Sequence, residues 1–238
     1  MTAPKNEIYL TGQVASLTPR TLEHPVSKQP VQGHVVVLNW FERIGADAPH
    51  EVFYVLLYLP DLAQSLKVGD WMEIRGALRA RVFEDERGVR RTAWAVEAIS
   101  EDTARIILPP EKGAFGKNEA QIQGVHYKMR EKTFPRRDGS HGELFASAAK
   151  WESPDRSQGQ WYEFISFNRG VADTLRDAGE IVARGPLRSR ENESAQGKVY
   201  QNWNIQLDKA EQLNVISTKD QWQAKRANPS ARTRPSLD

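Results

Sequence analysis

The chain repeats part of its own sequence at a distance of about 110 residues. Residues 75–81 read RGALRAR and residues 184–190 read RGPLRSR, an offset of 109 positions. Near the start of each copy, Asn6 recurs as Asn118 at an offset of 112, which places a three-residue indel between the first strand and the core of each copy. A period this long exceeds that of solenoid repeats, so we expect each copy to fold as a small domain with its own core.

The length of 238 residues suits two small domains and a tail. The sequence predicts domains at 1–108 and 118–216, joined by a proline- and glycine-containing linker at 109–117. Beyond 216 the hydrophobic periodicity ends and basic residues and prolines accumulate, so we predict a disordered basic tail at 217–238. The net charge of the whole chain is only +2, so any binding of anions must come from local clusters of cations.

The chain contains no cysteine, which excludes disulfide scaffolds, thiolate nucleophiles and cysteine-bound zinc. It has neither an apolar stretch of membrane-spanning length nor the layout of a signal peptide. These features predict a soluble, cytoplasmic protein with no membrane partner.

Both copies carry the pattern of five short strands with a helix between the third and the fourth. The predicted strands are 8–14, 34–41, 52–59, 71–81 and 92–99, then 120–129, 144–151, 161–168, 180–190 and 199–207. The helices are predicted near 60–66, where Pro60 precedes leucines spaced by four, and near 171–177. This order is that of the oligonucleotide/oligosaccharide-binding (OB) fold, a small Greek-key barrel. The predicted fold class is therefore all-β, with two tandem OB-fold domains.

The second copy resembles the bacterial single-stranded DNA-binding protein family over about residues 118–213. Three blocks carry the resemblance: 145–151, which ends in a tryptophan; 161–168, which begins with one; and 180–190, which contains the repeated RGPLRSR. The first copy resembles the family less closely, with its best block at 69–83.

The resemblance implies a protein that binds single-stranded DNA with little sequence preference and protects it in replication, recombination or repair. Some members of the family carry two OB domains per chain and dimerise, which implies a homodimer with four OB domains, without cofactor or metal. Family members typically end in an acidic tail that recruits other enzymes, whereas this chain ends in basic residues and Pro235-Ser236-Leu237-Asp238. Recruitment through the tail is therefore not expected, and the departure is typical of a plasmid- or phage-encoded member.

Binding of single strands needs aromatic rings that stack on bases and cations that follow the backbone. Trp161 and Phe167 lie six positions apart in one predicted strand and so share a face. The resemblance implies stacking by Trp151, Trp161 and Phe167 in the second copy and by Trp40, Tyr58 and Phe83 in the first. The cations predicted to contact phosphates are Arg79, Arg81, Arg188, Arg190, Lys128 and Arg130.

Other interpretations stay open at this point. A single aromatic residue in a strand is more often part of a core, and charged hairpins are usually just solvated. Two alternatives are a primosomal-type OB-fold accessory protein and a protein-interaction scaffold without nucleic-acid binding. RNA remains open as a ligand because stacking does not read the sugar. The five histidines show no metal-ligand spacing, and no catalytic motif is present, so we expect no enzyme activity.

Overall fold

The computed structural model of the protein describes residues 5–45, 50–84, 90–153, 158–193 and 199–227. The chain divides into two compact units. The first unit, as we call it here, contains Asn6–Gln121 and Gly185–Asn204, and the second contains Met1–Lys5, Ile122–Arg184 and Ile205–Asp238. Among the described residues, no helix is long and apolar enough to cross a membrane.

The described part of the first copy forms six strands and one short α-helix. These elements are β1 Asn6–Glu23, β2 Pro30–Trp40, β3 Glu51–Leu57, α1 Pro60–Ser65, β4 Trp71–Glu84, β5 Arg90–Ala98 and β6 Ala104–Ile107. The helix lies between the third and fourth strands, as predicted. Strand β1 pairs with β2 and β4, β2 pairs with β3, and β5 joins β3 to β4. The five strands therefore close on themselves in the order of an OB barrel.

Alternation of burial along β3 shows how the barrel of the first unit is filled. Phe53, Val55 and Leu57 are fully buried, whereas Tyr54 between them is exposed. Strands β1 and β4 add Ile8, Leu10, Met72 and Ile74 to the same interior. Because side chains of a strand point alternately to opposite faces, one row of apolar residues per strand is enough to fill a small barrel.

In its described residues, the second copy forms seven strands and two α-helices. They are β7 Asn118–Pro135, β8 His141–Glu152, β9 Gly159–Ser166, α2 Arg169–Arg176, β10 Ala178–Gly185, β11 Leu187–Glu193, β12 Val199–Gln206, β13 Leu213–Thr218 and α3 Lys219–Ala227. In the second unit, β8 pairs with β7 and β9, and β9 runs parallel to the end of β12, where Ile205 faces Phe164. Helix α2 packs its apolar face into the core of this unit through Val171, Ala172 and Leu175.

A single strand was expected over 180–190, but the structure has two, β10 and β11, separated at Pro186. Proline has no backbone N–H to give to a ladder, so it interrupts pairing where Ala77 keeps β4 continuous in the first copy. The hairpin formed by β11 and β12 falls in the first unit over Gly185–Asn204. This grouping differs from the predicted domain at 118–216.

Each copy of the repeat begins with an asparagine whose side chain hydrogen-bonds to the backbone of a leucine in the same way. The side-chain amide of Asn6 donates to the Leu78 carbonyl at 3.1 Å and accepts from the Leu78 N–H at 3.0 Å. Asn118 makes the equivalent pair with Leu187, at 2.7 and 2.9 Å. The two asparagines are 112 positions apart and the two leucines 109, which are the two offsets of the sequence repeat.

The predicted linker at 109–117 is hydrogen-bonded along the first unit. The Ile44 N–H donates to the Ala114 carbonyl at 2.9 Å, and the Gly113 N–H donates to the Ile44 carbonyl at 2.8 Å. Lys117 closes the segment, since its N–H donates to the Thr11 hydroxyl at 2.9 Å. Most of the segment between the two copies is therefore fixed to the first.

The prediction of disorder from residue 217 is wrong over 217–227. Strand β13 continues to Thr218, and helix α3 follows it directly. The Thr218 hydroxyl accepts from the Gln221 N–H at 3.3 Å, and the Gln221 side chain accepts from the Thr218 N–H at 3.0 Å. This reciprocal capping box satisfies two donors at the start of α3 and so stabilises a helix there. Residues 228–238 lie outside the described residues.

Candidate nucleic-acid interface

Two pairs of exposed aromatic rings lie on the second unit. Tyr127 and Trp161 meet edge to face with 5.2 Å between ring centroids, and Phe134 and Phe167 do the same at 6.1 Å. The exposed fractions are 68% for Tyr127, 45% for Trp161, 36% for Phe134 and 42% for Phe167. Exposing four large rings on one unit forgoes hydrophobic stabilisation, and such exposure is typical of binding surfaces. We call these four residues the aromatic cluster.

Strand β7 contains a β-bulge beside Tyr127. In the pairing of β7 with β8, His126 faces Ala149 but Met129 faces Ser147, so one extra residue of β7 is inserted between them. Ile122, Gly124 and His126 are buried at alternate positions, so Tyr127 lies on the exposed side by ordinary alternation, and the bulge leaves Lys128 exposed as well. Strand β1 carries a comparable bulge between Val14 and Ser16. The exposed residue there is Ala15, so the first unit presents no ring at this point.

Buried His126, the residue before the bulge, has hydrogen-bond partners at both ring nitrogens. Its Nδ1 lies 3.2 Å from the Ala178 carbonyl, and its Nε2 lies 2.6 Å from the Ser147 hydroxyl. A carbonyl can only accept, so Nδ1 carries the proton and Nε2 accepts from Ser147 in the neutral ring. Burial lowers the pKa of His126 below its ordinary value, and the charge of Lys219 acts in the same direction.

The stability of the second unit should therefore depend on pH through His126. With a lowered pKa in the folded state, the unfolded chain takes up the proton first as pH falls below about 6.5, so stability is complete above that value and declines below it. We expect the free energy of unfolding, measured by urea titration at pH 7.5 and 5.5, to fall more in the wild type than in His126→Gln. A single titrating group changes the free energy of unfolding by at most about 1.4 kcal/mol per pH unit. Equal pH dependence in the two proteins would contradict this role for His126.

Exposed cations lie on the hairpin of β7 and β8, the same hairpin that carries Tyr127 and Phe134. The exposed cations of this basic hairpin are Lys128, Arg130, Lys132, Arg136 and Arg137. Two carboxylates of the hairpin are already neutralised by α2, because Glu131 pairs with Arg176 and Glu143 with Arg169. The contact with Arg169 lowers the pKa of Glu143, which keeps that carboxylate ionised in its pair. The remaining charge of the hairpin is therefore positive and accessible to an anion.

Three rings predicted to stack on bases lie in the interior instead. Trp151, Trp40 and Tyr58 are buried, and the Tyr58 hydroxyl donates to the Glu23 carbonyl at 3.2 Å. A base cannot reach a ring face that is already packed against protein, so these three assignments to base stacking are corrected to core positions. Of the other predicted rings, Trp161 and Phe167 are exposed and belong to the aromatic cluster.

The predicted arginines divide between internal ion pairs and the surface. Arg79 lies 3.7 Å from buried Glu97, and Arg188 lies 3.0 Å from Glu51 and above the Trp40 ring. These two side chains are engaged in holding the first unit together. Arg190 is exposed, as are Lys128 and Arg130 of the basic hairpin. The side chains of Arg81 and Phe83 lie outside the described residues.

Tyr127 and Phe134 were missed by the sequence analysis. Both lie on β7, whose length of 18 residues extends well beyond the predicted strand 120–129. Basic residues interleaved with aromatics over 127–137 were the available signal, since this pattern is typical of surfaces that bind single strands. Among the described residues, no group of three histidine, aspartate or glutamate side chains is arranged to hold a metal ion.

The strand order, the helix between the third and fourth strands and the exposed aromatic face together define an OB-fold protein. Comparison with solved structures agrees with this assignment of the fold. The chain is similar to a deletion and point variant of the single-stranded DNA-binding protein from Thermus aquaticus, with a TM-score of 0.59 and 13% identity, covering 91% of this chain and 97% of that one. The wild-type protein from the same organism gives a TM-score of 0.57 and 12% identity, covering 90% and 94%. At this level of identity the likeness shows a shared fold.

No protein-family model matches the sequence, and no curated protein matches it.

Proposed function

We propose that this protein binds single-stranded DNA with little sequence preference. The observation that carries the proposal is the aromatic cluster beside the basic hairpin. Aromatic rings stack on any base because every base has a π-face, and cations follow the phosphates without reading sequence. An OB fold presents such a surface on its strands and hairpin loops, which is where Tyr127, Trp161 and Lys128 lie.

The proposed role is protection of exposed single strands during replication, recombination or repair in a bacterial cytoplasm, without catalysis and by a homodimer with four OB domains. The likeness to the Thermus aquaticus single-stranded DNA-binding protein over 91% of the chain supports this role. The scaffold alternative requires the aromatic residues to be core. The exposure of Trp161 and Phe167 favours single-strand binding over that alternative.

Tryptophan fluorescence tests the proposal directly. Trp161 is exposed within the cluster, so stacking of a base on its ring should quench its emission on titration with oligothymidine. Duplex DNA of the same length serves as the control for purely electrostatic binding. The variant Trp161→Phe should bind with similar affinity while most of the quenching disappears, because phenylalanine keeps a stacking ring but does not emit. Binding of duplex and single strand with equal affinity, or no binding at low salt, would refute the proposal.

The salt dependence of binding should show how many phosphates are contacted by Lys128 and Arg130. Neutralising Lys128 and Arg130 in the double variant Lys128→Ala/Arg130→Ala should lower the slope of log Kobs against log salt by roughly 0.7 for each phosphate that the variant no longer binds. Anisotropy of a labelled oligothymidine at several salt concentrations measures that slope. Lys67→Ala, which removes an exposed cation after α1 in the first unit, is the matched control and should leave the slope unchanged. A slope unaffected by the double variant would remove these two residues from the interface.

A further inference from the structure

The first unit exposes an aromatic ring that the interface described above does not include. Phe115 is 67% exposed, although it lies in a hydrogen-bonded segment. The guanidinium carbon of Arg43 lies 5.0 Å from the centroid of the Phe115 ring, so an arginine covers part of the ring. An exposed ring beside a cation is the same pair of ingredients that the second unit presents.

The backbone around Phe115 is held firmly in place. Phe115 and Arg43 form an antiparallel β-bridge. On either side of the bridge, the Ile44 N–H donates to the Ala114 carbonyl at 2.9 Å and the Gly116 N–H donates to the Glu42 carbonyl at 3.2 Å. A ring presented on a paired strand loses little conformational entropy when a ligand stacks on it.

Gly116 shows how closely this segment approaches the barrel. A Cβ at that position would lie 2.2 Å from the Phe41 carbonyl oxygen and 2.8 Å from the Trp40 indole nitrogen, so no larger residue fits without moving the strand. Gly113 has a φ of +88°, in the left-handed region that favours glycine. The two glycines on either side of Phe115 thus allow a tight path that leaves the phenylalanine facing outward.

We propose that Phe115 and Arg43 form a second site for an unpaired nucleobase, located on the first unit. The proposal rests on the proposed function, because the ligand is the same single strand. The base stacks on the open part of the Phe115 ring, and the Arg43 guanidinium contacts an adjacent phosphate. Exposed Lys112, whose side chain lies along Gly45, adds a further cation to the same surface. A site of this kind gives the first unit a stacking residue that Trp40 and Tyr58, being buried, do not supply.

Photo-crosslinking of the full-length wild-type chain tests the site without changing the protein. A single-stranded oligothymidine carrying 5-iodouracil reacts on irradiation with aromatic residues that stack on the modified base, and peptide mass spectrometry locates the adducts. We expect adducts at Phe115 in addition to those in the aromatic cluster. Anisotropy provides a second readout: Phe115→Ala should weaken binding of a long oligothymidine about fivefold or more, whereas Phe115→Trp should preserve it.

The possible outcomes separate this site from the main proposal. Adducts in the aromatic cluster but none at Phe115, with unchanged affinity of Phe115→Ala, would overturn the second site and leave the proposed function standing. Absence of any single-strand binding would overturn both. If Phe115→Ala changes the oligomeric state by sedimentation but not the affinity, the ring serves self-association and the second site is again overturned.

Discussion

Removing the rings of Trp161 and Tyr127 is expected to abolish most single-strand binding. A stacked base contributes about 1–3 kcal/mol, so each single alanine variant should raise Kd roughly 5- to 150-fold. The centroids of the two rings lie 5.2 Å apart, so the effects of the two substitutions on the binding free energy will not simply add. For Trp161→Ala/Tyr127→Ala we expect Kd for an oligothymidine to rise roughly 100-fold or more. Fluorescence anisotropy at low salt measures this change.

Conservative variants at the same positions are the matched controls. Trp161→Phe and Tyr127→Phe keep a ring at each site, so they should bind close to wild-type strength. Because both rings lie at the surface and outside the buried core, the alanine variants should also keep a wild-type circular dichroism spectrum and thermal midpoint. Wild-type affinity in the folded double alanine variant would show that the aromatic cluster does not hold the strand.

The largest change in stability is expected from Phe53→Ala in the first unit. Phe53 is fully buried, and its ring meets that of buried Trp203 edge to face at 5.2 Å. Truncation of a buried phenylalanine leaves a cavity and costs about 3–5 kcal/mol. The neighbouring Tyr54 points to the exposed face of the same strand, so Tyr54→Ala should cost less than about 1 kcal/mol.

Urea unfolding followed by tryptophan emission compares these two variants. Trp203 lies against Phe53, so the emission of Trp203 reports on the part of the first unit in which the Phe53 ring is removed. Circular dichroism of the same samples establishes whether both units unfold in one transition. Similar free energies of unfolding for Phe53→Ala and Tyr54→Ala would contradict the alternation of burial along β3.

The sequence was sufficient to predict the OB strand order and the helix that interrupts it. Period-two alternation around Phe53 and the spacing of Leu62 and Leu66 reflect local burial, which a single sequence carries directly. Pro186 also gave a readable signal, because its missing N–H predicts a break in a strand. The capping pair Thr218 and Gln221 was equally visible but is a weak signal inside a polar segment.

Which residues form the proposed interface was harder to predict, because their exposure depends on features that a strand pattern does not encode. A β-bulge interrupts the alternation between His126 and Met129, and the sequence there does not show which of the following residues face outward. Trp151 and Trp161 look alike in sequence, yet one is buried and the other exposed, because only the pairing of β8 with β9 decides their faces. The ion pair of Arg188 was unpredictable for a similar reason, since its partner Glu51 lies 137 positions away.

The discontinuous first unit has a consequence for the order of events during synthesis. Its first segment ends at Gln121, but the hairpin that completes it ends at Asn204. At roughly 5–20 residues per second, a ribosome needs about 4–16 s to make the intervening stretch, which is far longer than most small domains take to fold. During that time Glu51 and the Trp40 ring lack their β11 partner Arg188. The first unit therefore completes its contacts only when the second copy is nearly synthesised.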